Sequence, residues 1–229
     1  MVVIFFALCT IVIEIGNHVF DYDEDWTNII NLDRELNLPT WYSSFTLAFC
    51  AILLAVIAAG KKAENDRFFR QWKILSTIFW ILAIDELVSL HEILIIPDLA
   101  DALHLPGFLY QIWVIPGMII VLIFILKYVR FRAHLPKRTR YHFTLAAILY
   151  IGGALGMEML GGHYAEIEGQ QHLTYTLIAT AEEVMEMMGI IVFMYGLLNY
   201  LKISRQDLEV QIKFFDGKKQ RTRELTIDK

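Results

Sequence analysis

Cysteine and proline are scarce in this 229-residue chain, with two of the first and five of the second. Cys9 and Cys50 both fall in apolar runs. That points to packing rather than a disulfide framework or zinc motif, and it leaves the redox compartment open. None of the seven histidines stands three or four residues from another. The chain also lacks any Glu-x-x-His pair and any His-Glu-x-x-His. The usual helix-borne signatures of dimetal-carboxylate proteins and zinc proteases are therefore excluded. There is no glycine-rich phosphate loop, and the bases are spread rather than gathered into a nucleic-acid patch, so no nucleic-acid partner is expected.

The most informative absence is of positive charge. Eight acidic side chains lie inside apolar stretches: Glu14, Asp85, Glu86, Glu92, Glu158, Glu182, Glu183 and Glu186. The stretches that hold them contain no Lys or Arg. A carboxylate in hydrocarbon is costly and normally faces a protein interior or an aqueous cavity. Here the compensating charge must come from bound metal cations or bound protons.

What is abundant is apolar surface. The chain is 56% hydrophobic, with a mean hydropathy of +0.48, more apolar than ordinary soluble domains. Six apolar segments can be read, at 2–20, 41–60, 74–96, 107–127, 142–161 and 174–200. Most reach the roughly 20 residues that a helix needs to cross about 30 Å of hydrocarbon. Backbone groups in lipid must be satisfied within the segment, so helices are the default. The first segment lacks the basic leader and small-residue cleavage site of a signal peptide and contains Glu14. It is expected to be a retained helix, with the completeness of its start left open.

The predicted architecture is an all-α, polytopic transmembrane bundle of six helices over 1–200, followed by a small tail at 201–229. Nineteen of the 20 Lys and Arg fall at 61–73, at 127–140 and in the tail, and only Arg34 lies elsewhere. By the positive-inside rule both termini are cytoplasmic, in a bacterial plasma membrane or an equivalent internal membrane. Basic loops suit anionic headgroups of the lipid bilayer. The opposite loops are acidic and carry Trp26, Trp41, Trp113 and Tyr164, which suit an outer aromatic belt. In the tail, Leu208, Val210, Ile212 and Phe214 alternate with polar residues before Asp216-Gly217. That pattern fits a short hairpin or, equally, a disordered end.

Helical spacing sorts the acids. Asp85, Ser89 and Glu92 fall on one stripe of the third segment. Glu182 and Glu186 share a face of the sixth, with Glu183 three residues from Glu186. Glu14 and His18 share a face of the first, and Glu158 lies a turn before Gly161-Gly162. At 1.5 Å per residue, Asp85 sits about 16 Å and Glu92 about 6 Å from the outer end. All eight acids then fall in the outer half of the membrane and suggest a polar column opening outward. Gly152, Gly153 and Gly156 include a G-x-x-x-G spacing that lets the fifth segment pack closely on a partner, Pro116-Gly117 predicts a kink or loosening of the fourth segment, and Gly162–Leu173 is read as an outer loop.

Inward carboxylates from several helices can hold metals in a bundle core. The candidate ligands are Glu14, His18, Asp85, Glu92, Glu158, Glu182 and Glu186, with Glu183 and Glu86 as proton-moving catalytic groups. His91 and His163 stand near, His91 being turned about 120° from the Asp85/Glu92 stripe. Mixed carboxylate and imidazole donors suit Fe, Mn or Zn, in a mononuclear or dinuclear site. The leading expectation is a metal-dependent membrane oxidoreductase or hydrolase acting on a lipid or other hydrophobic substrate. Two alternatives are a proton or cation transporter and a structural subunit whose acids meet partners in a larger membrane complex.

Overall fold

The computed structural model describes residues 1–20, 25–32, 34, 36–89, 106–109, 111–170 and 172–204. Every described element is helical. They are α1 (Val2–Phe20), a 3-10 turn (Asp25–Ile29), α2 (Leu38–Ala63), α3 (Phe69–Val88), a 3-10 turn (Gly107–Leu109), α4 (Val114–His134), α5 (Lys137–Ile151), a π-helical turn (Gly152–Met157), α6 (Glu158–Glu168) and α7 (Leu173–Ser204). Through the π turn, α5 and α6 run on as one 32-residue span, Lys137–Glu168.

Among the described residues, five spans are long and apolar enough to cross a membrane: Val2–Val19, Leu38–Ala63, Val114–His134, Lys137–Glu168 and Leu173–Ser204. The 20-residue α3 is long enough but mixed, with Arg70 and Lys73 at one end and Asp85 and Glu86 at the other. Its boundaries correct the sequence reading. The helix starts five residues earlier than expected and stops at Val88, because Ser89 adopts a left-handed conformation, φ 50° and ψ 47°. Left-handed backbone cannot continue a right-handed helix, so the Asp85–Ser89–Glu92 stripe does not run on as one helical face. Glu92 and His91 themselves lie outside the described residues, as does the expected hairpin of the tail beyond Ser204.

The expected kink at Pro116-Gly117 is also corrected. α4 begins at Val114, so Pro116 occupies its first turn, where a missing N–H costs no helical hydrogen bond. The outer loop at 162–173 shrinks, because α6 continues to Glu168 before Gly169 turns the chain at φ 86°. α2 has the cleanest start: the Asn37 side chain accepts hydrogen bonds from the Thr40 backbone N–H and hydroxyl, both at 3.1 Å, and Pro39 follows the cap.

A buried core containing Leu47, Leu54, Trp72, Phe131, Ile190 and Leu197 joins α2, α3, α4 and α7. Hydroxyls stitch α2 to α3, Ser44 donating to the Ala83 carbonyl at 2.7 Å and Ser76 to the Ala51 carbonyl at 2.8 Å, as small polar residues do between membrane helices. Val3 and Phe6 attach α1 to Met187 of α7. Meanwhile Ile4, Leu8 and Val12 of α1 and Ile119, Leu122 and Leu126 of α4 are exposed. Apolar surface of that extent belongs in lipid rather than water.

The basic helix ends meet. Lys61 sits over the Tyr200 ring, Phe68 packs on Phe131 and His134, and Arg138 reaches the Tyr195 hydroxyl. The ends of α2, α4 and α7 and the starts of α3 and α5 thus form one basic pole.

Candidate functional site

The carboxylates gather away from that pole, where α6 packs on α7 and the end of α3 comes within electrostatic reach. Glycine makes the approach possible. A methyl group on Gly153 would lie 2.9 Å from both the Glu182 carbonyl oxygen and Glu186 Cγ. One on Gly189 would lie 2.8 Å from the Tyr150 backbone nitrogen. These two glycines press the π-turn helix against α7, Gly153 being one of the three expected to do so. Gly156 meets nothing within 4 Å, and Gly152 meets only the end of Met185. The π turn inserts extra backbone directly before Glu158, re-aiming the residues that follow, and such turns are frequent at functional sites.

Within this seam Glu182 of α7 lies beside Glu158 of α6, with Glu186 and Glu183 near enough for their charges to act on it. Glu186 lies near Tyr150 of α5 and within electrostatic reach of Glu86 and Asp85 of α3 and of Glu158. The structure therefore brings together Asp85, Glu86, Glu158, Glu182, Glu183 and Glu186, all half-buried. No Lys or Arg occurs in 74–88, 141–168 or 173–201.

Two of the sequence candidates are placed elsewhere. Glu14 accepts a hydrogen bond from the Asn31 side-chain amide at 2.6 Å, which ties α1 to the segment leading into α2. His18 is exposed, its ring 6.3 Å from that of His172, whose Nδ1 is 2.9 Å from Glu168. His163 is stacked on Phe108 at 4.3 Å. Imidazoles thus gather at the rim of the bundle while the carboxylates form its seam. Among the described residues, no group of three or more His, Cys, Asp and Glu side chains is disposed to hold a metal ion.

The sequence reading passed over Gln111. The 3-10 turn before it packs closely on α6, since Gly107 lies so near His163 and Glu166 that any side chain there would collide. This closeness carries Gln111 into the seam, where its backbone carbonyl accepts the Val114 N–H at 3.1 Å. Gln111 is 7% exposed, and its side-chain oxygen is buried without a hydrogen-bond partner. With Glu158, Glu182, Tyr175, Gly161 and Gly162 it lines a cavity of about 10 Å³. A signal was present: Gln111 is the one amide in the otherwise apolar run 107–126. Tyr150 was missed as well, its hydroxyl being readable only once α5 and α7 are seen in contact.

No curated protein and no solved structure matches the chain. A family model does, over residues 2–201, and its description is Domain of unknown function (DUF8692). The match takes in all of the described helices but the last turn of α7, and the chain belongs to that family.

Proposed function

We propose that the protein crosses a membrane six times, with both termini in the cytoplasm, and holds exchangeable cations in the carboxylate seam of its outer half. One observation carries this reading: Glu182 lies within electrostatic reach of Glu158, Glu183 and Glu186, and no Lys or Arg occurs in the helices that hold them. Carboxylates held this close repel one another unless a cation stands among them. With no base at this level, uptake of a cation neutralises the seam without requiring any side chain to cross the membrane. In this reading α3 is the sixth crossing, its Asp85 and Glu86 turned toward the seam rather than toward lipid.

A site so placed would serve metal-dependent chemistry, oxidative or hydrolytic, on a lipid or other hydrophobic molecule entering from the outer leaflet. Glu183 and Glu86 would then move protons. Proton or cation transport is the second reading. It is favoured by Tyr150, which adds a polar group of α5 beside Glu186.

Metal retention tests the proposal. Purified protein, stripped with chelator and dialysed against Mn2+, Fe2+ or Zn2+, should keep at least one equivalent of one of these ions per chain. The double variant Glu182→Gln, Glu186→Gln should keep none. Equal retention by the two proteins would sink the reading.

A further inference from the structure

The cavity beside Gln111 narrows the cation's place and its chemistry. A space of about 10 Å³ has room for one small ion or one water and for no organic molecule. Its polar wall presents two carboxyl groups, Glu158 and Glu182, and one buried amide oxygen without a hydrogen-bond partner, that of Gln111. An amide oxygen kept from water with nothing to accept is costly, and a ligand that it can bind relieves that cost. The two acids bring two negative charges when ionised, and a divalent cation would balance them. No imidazole and no thiol lines the cavity. Oxygen donors alone select hard cations.

We propose that this cavity seats one hard divalent cation of the Mg2+, Ca2+ and Mn2+ class, held by oxygens of Glu158, Glu182 and the Gln111 amide. The proposal rests on the cation-holding reading above and gives it a location and a donor set. The Gly161-Gly162 wall brings no side chain that would fill the space. Glu186, one turn along α7 from Glu182, stands outside the lining of the seat.

Electron paramagnetic resonance of Mn2+ added to the chelator-stripped, detergent-purified full chain tests this. The wild type should bind one Mn2+ per chain, displaced by Mg2+ or Ca2+, with no directly coordinated nitrogen in its electron spin echo modulation. Gln111→Leu should weaken binding at least tenfold, and Glu158→Gln more, while Glu64→Gln at the basic pole should change nothing. If Gln111→Leu fails to fold, Gln111→Glu carries the test, since a third carboxylate in the same place should tighten Mn2+ binding. A coordinated nitrogen, or affinity unmoved by the Gln111 and Glu158 variants, would overturn the inference and leave the wider reading standing. A wild type that holds only Fe2+ or Zn2+ would do the same. A wild type that holds no cation of any kind, its cavity filled by water alone, would overturn both.

Discussion

At the scale of single residues, the site is a set of carboxyl groups whose neighbours are other carboxyl groups, a phenol and an amide. Carboxyl groups bind a cation only when ionised, so metal affinity should rise with pH. Isothermal titration across a range of pH would show that rise, and a pH-independent affinity would contradict a cation held by carboxylates. Tyr150 brings a hydroxyl to the same seam. Tyr150→Phe removes that hydroxyl at nearly constant shape and should cost at most about 1 kcal/mol of stability in thermal unfolding. Nothing in the spacing of acids along the chain pointed to Tyr150 or Gln111, because each reaches the seam from an element distant in sequence. The i, i+4 relation of Glu182 and Glu186 was legible because a straight helix fixes it.

At the scale of elements, the π turn and the two glycines at the α5–α7 contact build the seam. Gly153→Ala would place a methyl group 2.9 Å from the Glu182 carbonyl oxygen and Glu186 Cγ. Because the obstacle includes backbone, the helices must part, at a cost of about 1–3 kcal/mol. Gly156→Ala, in the same turn but with nothing within 4 Å, should be neutral or slightly stabilising. Denaturation of the two variants in mixed micelles would separate them, and equal stabilities would refute the packing argument. The glycine cluster signalled a packing face, and of its three members Gly153 makes the tightest approach to α7 while Gly156 makes none. Likewise α3 reads in sequence as continuing beyond Ser89, and only its backbone shows the left-handed stop. Helix content was legible because long apolar runs leave a chain in lipid few other ways to satisfy its backbone. Helix ends were not, because they depend on one residue's φ and ψ or on a short contact such as that of Gly107 with α6.

At the scale of the whole molecule, a basic pole, a carboxylate seam and an apolar flank characterise the described residues. The contacts of Lys61, Phe68 and Arg138 bring the basic helix ends together, and the positive-inside rule would place that pole in the cytoplasm. With Cys9 and Cys50 replaced by serine, Lys62→Cys should react with a membrane-impermeant maleimide only after cells are opened. Glu168→Cys, near the end of α6, should react on intact cells. The reverse pattern would invert the orientation and put the seam in the cytoplasmic half.

The central claim is that a cation sits between Glu158 and Glu182. Anomalous diffraction from crystals grown with Mn2+ tests it most directly. The account predicts one strong anomalous peak between α6 and α7, with oxygens of Glu158, Glu182 and Gln111 at about 2.0–2.6 Å, the usual range for hard cations. An empty seam, or a peak held instead by His18 and His172 at the rim, would contradict it.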